Sequence, residues 1–309
     1  MRWDGIYSAM NEIGIQAGDK IMTGTSYRSP ESIEEAVDLL AASSGTVDIL
    51  AGGTDLIIQM QDSIGDERLI INVKHISEMM QATLTDDALF LGPAMCCAEL
   101  TSRADIKQWF PGLVESAYLI GSSQVQGRAS VGGNLCNASP AADTIPALIA
   151  LGAVCHIVGP SGERSVNAED FVTGVGSNCM ADNELLRSIQ IARPEPNTAD
   201  AYLRFIPRSE MDIAVAGAAV SVTVNDGVCS SARVAIGAVA TTALLVPAAA
   251  AALVGTDLGE DALDAAAAAS TLVAKPITDR RGTEEFRKHI VGVLTKRAAG
   301  IAAARARGN

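Results

Sequence analysis

Apolar residues recur along this chain at two periods, and the points where each period starts and stops predict the elements. Ile33, Ala36, Val37 and Leu40 fall at helical spacing, so a helix begun near Pro30 can turn one face to a core. Ser32 stands at its start with Glu35 three residues on, a pairing that satisfies open backbone donors. Val47-Asp48-Ile49-Leu50 after it and then Leu69-Ile70-Ile71-Asn72-Val73 read as strands. Together these predict a small β–α–β unit ending near Ser77. Ala88-Leu89-Phe90-Leu91 predicts another strand, and Cys97-Ala98-Glu99-Leu100 the start of a helix. Residues 113–120 and 143–151 predict two more helices, the second tolerating Pro146 in its first turn. Residues 153–158 and Ser165-Val166 flank the hairpin punctuation Gly159-Pro160-Ser161-Gly162, and residues 184–191 read as a strand.

Arg193-Pro194-Glu195-Pro196-Asn197 is the clearest linker, because two closely spaced prolines resist regular structure. Beyond it, the β-branched runs 214–224 and 232–239 are separated by Asn225-Asp226-Gly227, the strongest hairpin signal in the chain. Two alanine-rich helices, expected to pack internally by default with subunit contacts as the alternative, and a final basic helix follow. No repeat of solenoid period is apparent. The predicted organisation is a leader over 1–24, subdomains over 25–78 and 79–193, and a separate α+β domain over 199–309.

Two glycine pairs carry the candidate chemistry. Gly52-Gly53 follows the first predicted strand after the helix and leads into Thr54-Asp55-Leu56; Gly132-Gly133 follows Ala129-Ser130-Val131 and leads into Asn134. Paired glycines let successive N–H groups converge with no Cβ in the way, and such nests bind anions. Two of them facing one cleft suit the two phosphates of a dinucleotide. Ser130 and Asn134 add donors and acceptors beside the second turn. Asp143, at the start of a predicted helix, reads either as a ligand-contacting carboxylate or as an N-cap, and Asp55 has a similar local-turn alternative. Arg208 and Asp212 read as a structural ion pair.

Composition narrows the classes. At 309 residues the chain has room for two or three cores. Being 48% hydrophobic and 4% aromatic, it must build them from aliphatic and small residues. A net charge of −13 argues against nucleic acid and against an anionic membrane surface, since no basic stripe is present. No run approaches the roughly 20 apolar residues of a membrane helix. Residues 1–21 carry Asp4, Glu12, Asp19 and Lys20 and lack a signal-peptide pattern. They read as a disordered leader, or translation begins at Met22, and the expected compartment is the cytoplasm. Cys96, Cys97, Cys136, Cys155, Cys179 and Cys229 form no C-x-x-C pair and read as buried thiols, a cluster through Cys136 and Cys155 being the alternative. His75, His156 and His289 are isolated from one another in sequence and suggest no metal site. No catalytic residue is expected.

The ordered set of these segments resembles the FAD-binding medium subunit of the molybdenum hydroxylases, the family of xanthine dehydrogenase and carbon monoxide dehydrogenase. The resemblance rests on Ala51-Gly52-Gly53-Thr54-Asp55-Leu56, on Ser130 through Asp143, and on Phe171-Val172-Thr173-Gly174. It continues through Tyr202 to Arg208 with Asp212-Ile213-Ala214, then Asp279-Arg280-Arg281-Gly282 and Phe286-Arg287. It implies an α+β fold: a two-subdomain, PCMH-type FAD-binding α/β domain, then a small antiparallel sheet packed on helices. It further implies that Ala51, Gly52, Gly53, Thr54, Asp55 and Leu56 wrap the FAD pyrophosphate. Ser130, Gly132, Gly133 and Asn134 would form the second phosphate-side loop, with Asp143 hydrogen-bonded to the cofactor. Leu186 and Arg204 would lie near the flavin ring and Tyr202 would stack on it.

The implied function is electron transfer within a heterotrimeric, molybdopterin-dependent oxidoreductase. A large molybdopterin-binding subunit would oxidise the substrate and a small subunit with two-iron clusters would relay electrons. FAD on this chain would pass them to NAD or a quinone. Rival readings are a free-standing FAD-dependent oxidase and a non-catalytic assembly subunit. Thr54-Asp55 stands where the carbon monoxide enzymes of that family typically carry a different pair, so the resemblance leans away from that substrate.

Overall fold

The computed structural model describes residues 24–63 and 67–308, so the leader expected over 1–24 lies, but for Gly24, outside the described residues. The predicted first helix forms as α1 (Ile33–Ala42), with Ile33, Ala36, Val37 and Leu40 buried. Ser32 Oγ accepts the Glu35 N–H at 3.1 Å, while the Glu35 carboxylate reaches back to the Glu31 N–H at 2.9 Å, one residue short of a full capping box. The helix crosses a parallel sheet of β1 (Thr25–Arg28), β2 (Thr46–Leu50) and β3 (Arg68–Asn72), ordered β1-β3-β2. Arg68 on the central strand binds Asp48 on its neighbour at 2.8 Å. The expected β–α–β unit is therefore present, with the last strand inserted between the first two.

A second sheet is antiparallel throughout. It uses β4 (Ala82–Leu84), β5 (Ala88–Leu91), β6 (Val154–Gly159) and β7 (Gly162–Asn167). A small separate hairpin, β8 (Val172–Gly174) with β9 (Ser177–Asn178), precedes its last strand, β10 (Leu185–Ala192). The order β4-β5-β10-β6-β7 puts the final strand at the centre, so the sheet closes only once the chain reaches residue 192. Between β5 and β6 run α2 (Cys97–Ser102), α3 (Ala104–Trp109), α4 (Pro111–Tyr118), α5 (Ser123–Gln126), α6 (Val131–Asn137) and α7 (Thr144–Ala150). Leu100, Ile106, Phe110, Leu113, Leu135 and Leu148 from these helices share a core with Leu89, Ile157, Ile189 and Ile191 of the sheet.

The last unit has its own sheet, β11 (Thr198–Phe205), β12 (Ala216–Asn225), β13 (Val228–Gly237) and β14 (Leu244–Leu245), antiparallel in that order. The predicted hairpin turn forms: Asp226 (φ 51°) and Gly227 (φ 82°) take the left-handed conformations of a two-residue loop. Behind the sheet lie the helices α8 (Pro247–Leu253), α9 (Glu260–Val273) and α10 (Glu284–Ala306). Ala298, Ala299, Ala302 and Ala303 of α10, the predicted basic helix, are buried with Val220, Val222 and Val234, whereas the two alanine-rich helices bury Ala249 and Leu253 of α8 and Ala266 and Ser270 of α9. Small side chains let the long helix settle directly on the strands.

Strand β11 was not read from the sequence as a strand. Its face carrying Asp200, Tyr202 and Arg204 looks solvent-seeking, yet Asp200 and Tyr202 are buried because that face is covered by the second unit. Asp200 accepts the Leu113 N–H at 3.1 Å, Arg305 bridges Glu115 and the Asp200 carbonyl, and Arg233 donates to the Ile149 carbonyl at 2.9 Å. Tyr202, Ala219 and Ala235 belong to the core of the second unit. Although its sheet is its own, the third unit is thus anchored by polar and apolar contacts alike.

Candidate functional site

A cavity of about 530 Å³ opens at the C-terminal ends of β2 and β3 and runs between the first and second units. Open parallel sheets put their binding crevices at such strand ends. The volume falls within the roughly 300–1,000 Å³ of small-molecule and cofactor sites. Ala51, Gly52, Gly53, Thr54, Asp55 and Leu56 form one wall, and Ser130, Gly132, Gly133 and Asn134 a second. Leu186 lines the cavity from β10. Eleven of the fourteen residues picked out from the sequence therefore converge on one space.

The two loops are in contact. A Cβ built on Gly52 would sit 2.7 Å from the Arg128 carbonyl carbon, and one on Gly133 would come to 4.0 Å from the Ala51 Cβ. Gln59 Nε2 also donates to Asn137 Oδ1 across the gap at 3.0 Å. Each pair divides its labour. Gly52 and Gly132 permit close backbone approach, the latter with Pro93 O 2.6 Å from where its Cβ would be. Gly53 takes φ +79°, which L side chains rarely adopt. The N–H groups of Gly52, Gly53 and Thr54 have no hydrogen-bond acceptor among the described residues.

The second pair was expected in a loop, and here the structure corrects the sequence. Gly132 and Gly133 lie inside the first turn of α6, whose N-cap Ser130 accepts the Gly133 N–H at 3.1 Å. The small-residue run lets the helix start where a loop was expected. Asn134 Oδ1 accepts from Thr144 Oγ1 at 2.6 Å, which fixes the carboxamide and leaves its amide nitrogen without a protein partner among the described residues. Asp55 begins the short turn Leu56–Gln59 with no side-chain capping bond, so its carboxylate stays exposed at the cavity rim.

Asp143, Tyr202 and Arg204 do not line this cavity. They form a buried network instead. Tyr202 Oη donates to Asp143 Oδ1 at 2.8 Å and Arg204 Nη1 donates to Asp143 Oδ2 at 2.6 Å. Tyr202 is 2% exposed, which leaves no ring face for stacking. Asp143 makes no N-cap bond either, because Arg204 and Tyr202 take both its oxygens. Burial pushes the Asp143 carboxyl up, opposed by Arg204 and by the Tyr202 hydroxyl, while burial and the neighbouring carboxylate push the Tyr202 phenol well up. The network stands one residue from Thr144 and so backs the wall that holds Asn134.

Cavity-lining residues not picked out from the sequence include Pro93 and Ala94 after β5, Gln59, Asn137, and Asn178 on β9. Asn178 donates to the Cys136 carbonyl at 3.0 Å, tying the β8–β9 hairpin to the end of α6. None bears a local pattern; they meet only because the chain returns from 172–186 across the open side. Arg208 and Asp212 do pair, at 3.6 Å, with Arg281 on the same carboxylate at 3.0 Å. His156 is held between Gln190 and Ser165 on the sheet. Among the described residues no group of three or more His, Cys, Asp or Glu could hold a metal ion, and no helix is long and apolar enough to cross a membrane.

A cavity between a parallel and an antiparallel unit, walled by two touching glycine segments, has the form of a cofactor site. Comparison with known proteins fixes the kind. Residues 21–194 match the family described as FAD binding domain in molybdopterin dehydrogenase, and 201–302 match the CO dehydrogenase flavoprotein C-terminal domain. The carbon monoxide dehydrogenase medium chain of Afipia carboxidovorans is 32% identical, covering 91% of this chain and 97% of its own. The xanthine dehydrogenase FAD-binding subunit of Escherichia coli O157:H7 is 28% identical over 92% and 97%. The solved carbon monoxide dehydrogenase of Hydrogenophaga pseudoflava superposes with a TM-score of 0.87 at 32% identity, covering 93% of this chain and 99% of that one. The chain belongs to the family of FAD-binding subunits of the molybdenum hydroxylases, multi-subunit oxidoreductases, and its cofactor is FAD.

Proposed function

We propose that this chain is the electron-output subunit of a cytoplasmic, three-part molybdenum hydroxylase, working beside a large molybdopterin-binding subunit and a small two-iron subunit. FAD, when bound, supplies the chemistry of accepting electrons singly from iron–sulfur clusters and releasing them in pairs to NAD or a quinone. The chain's own residues bind and orient. The unaccepted N–H groups of Gly52, Gly53 and Thr54 meet the demand of a diphosphate for donors, and this is the single observation that carries the reading. Ser130 and the amide nitrogen of Asn134 offer the polar contacts of the second wall, and Leu186 an apolar surface for a ring. Asp143, Tyr202 and Arg204 act from behind as a brace, without touching the cofactor.

Substrate oxidation belongs, in this reading, to the large subunit. The test is to assemble the complex with and without this chain. Without it, substrate should still bleach the iron–sulfur absorbance while NAD or quinone reduction disappears. Loss of the iron–sulfur half-reaction, or turnover of a reductant by the purified chain alone, would overturn the assignment.

A further inference from the structure

Thr144 opens α7 and is fully buried. Its Oγ1 donates to Asn134 Oδ1 at 2.6 Å, and its backbone N–H makes a longer contact of 3.4 Å to the same oxygen. A backbone N–H can only donate, so the end of the carboxamide that faces α7 is the oxygen. The other end, Nδ2, carries two donor hydrogens. It has no acceptor among the described residues, it is not buried, and it belongs to a side chain that lines the cavity.

Both ends of this contact are held in place. Asn134 belongs to the first turn of α6, where its N–H donates to the Ser130 carbonyl at 2.9 Å. On the other side, Asp143 directly before Thr144 gives both carboxylate oxygens to Tyr202 and Arg204 of β11. Pro146, two residues after Thr144, meets β13 so closely that a Cβ on Gly237 would come to 2.7 Å from its ring. The last unit therefore fixes the start of α7, and Thr144 passes that placement to the carboxamide. An amide without such a partner can turn over and show its oxygen instead. Two donors offered to a cavity call for an acceptor, and the phosphate, ribityl and ring carbonyl oxygens of a flavin all accept.

We propose that Thr144 is a positioning residue for flavin binding: it holds the Asn134 carboxamide so that the cavity meets donors, which select an acceptor oxygen of the flavin. The proposal rests on the reading that this cavity holds FAD. The acceptor belongs either to the diphosphate or to the riboflavin half, and riboflavin alone separates the two.

The experiment titrates the full chain, stripped of flavin, with FAD and with riboflavin, following flavin fluorescence. Asn134→Asp keeps an oxygen for Thr144 and replaces both donors by an acceptor, so it should weaken FAD about 10–100-fold. Thr144→Val keeps the shape and removes the hydroxyl; it should weaken FAD about 3–10-fold, and Thr144→Ser should stay within about twofold of the wild type. The deciding comparison is a double-mutant cycle. In an Asn134→Ala background, Thr144→Val should change FAD affinity by less than about twofold, because no carboxamide is left to position. A merely structural threonine would weaken binding equally in both backgrounds, and that result overturns the proposal. So does an Asn134→Asp chain that binds FAD as the wild type does, a readout that stands even if Thr144→Val does not fold. Riboflavin weakened in step with FAD supports an acceptor on the riboflavin half, and FAD weakened alone supports a phosphate oxygen. A wild type that binds neither flavin would instead remove the FAD reading, and the Thr144 proposal with it.

Discussion

At the scale of single residues, the glycine pairs were legible because absence of a side chain is a signal in itself, but the reason for each glycine was not. Gly53 needs its positive φ, whereas Gly52 and Gly132 are glycine because other backbone comes too close for a Cβ. Gly132→Ala places a methyl against the Pro93 backbone, which cannot yield as a flexible side chain would. The expected cost is about 1–3 kcal/mol, with loss of bound flavin on purification. Denaturant midpoints and the visible flavin absorbance of the purified chain check it. Thr144 and Asn178 show the opposite case: ordinary residues in unremarkable local sequence, given roles only by what the fold sets beside them.

At the scale of elements, periodicity located most helices and the strands with apolar runs, and it failed where an element's polar face is covered by another unit. Strand β11 is the example, and Asp200 on it caps α4 from outside: its carboxylate accepts the Leu113 N–H, and Gly112 leaves room for it. Burial pushes the Asp200 carboxyl up to about 7, with Glu115 adding to it and the Gly112 and Leu113 N–H groups and Arg305 opposing. The folded value lies above the unfolded one, so the folded state binds more protons between them. This group's contribution is fully present below about pH 4 and is lost as pH rises through about 7. Asp200→Asn keeps an acceptor for the helix and removes the charge. Its stability relative to wild type should improve steadily from pH 4 to 7 and then level off, by an amount on the order of a few kcal/mol. Chemical denaturation of both proteins across that range checks it, and a pH-independent difference would show that the buried carboxyl does not titrate there.

At the scale of the whole molecule, a few polar links tie the second unit to the last sheet, and the buried Asp143–Arg204–Tyr202 network joins the helical layer to that sheet beside the cavity wall. Arg204 is 7% exposed at its side chain, so removing its partner leaves a buried charge unpaired. Asp143→Ala should cost about 3–5 kcal/mol, well beyond the ~1 kcal/mol expected of Tyr202→Phe. Urea midpoints of the two variants check the ranking; equal costs would mean that the ion pair adds nothing beyond one hydrogen bond. The order β4-β5-β10-β6-β7, with its last strand central, likewise belongs only to this scale, since no local pattern says which neighbours a strand will take.

By itself the sequence determined where the chain turns, which faces are apolar and which residues lack a Cβ, because conformational limits and hydrophobic period act over a few neighbouring positions. Those local rules were enough to mark the two glycine segments that line the cavity and the hairpin at Asp226-Gly227. Only the tertiary structure decided that Asp143, Tyr202 and Arg204 serve each other rather than the cavity, and that Asn178 reaches the Cys136 carbonyl. Burial and pairing between residues tens of positions apart are set by how whole elements pack, and that packing leaves no trace in the spacing of a single stretch of chain.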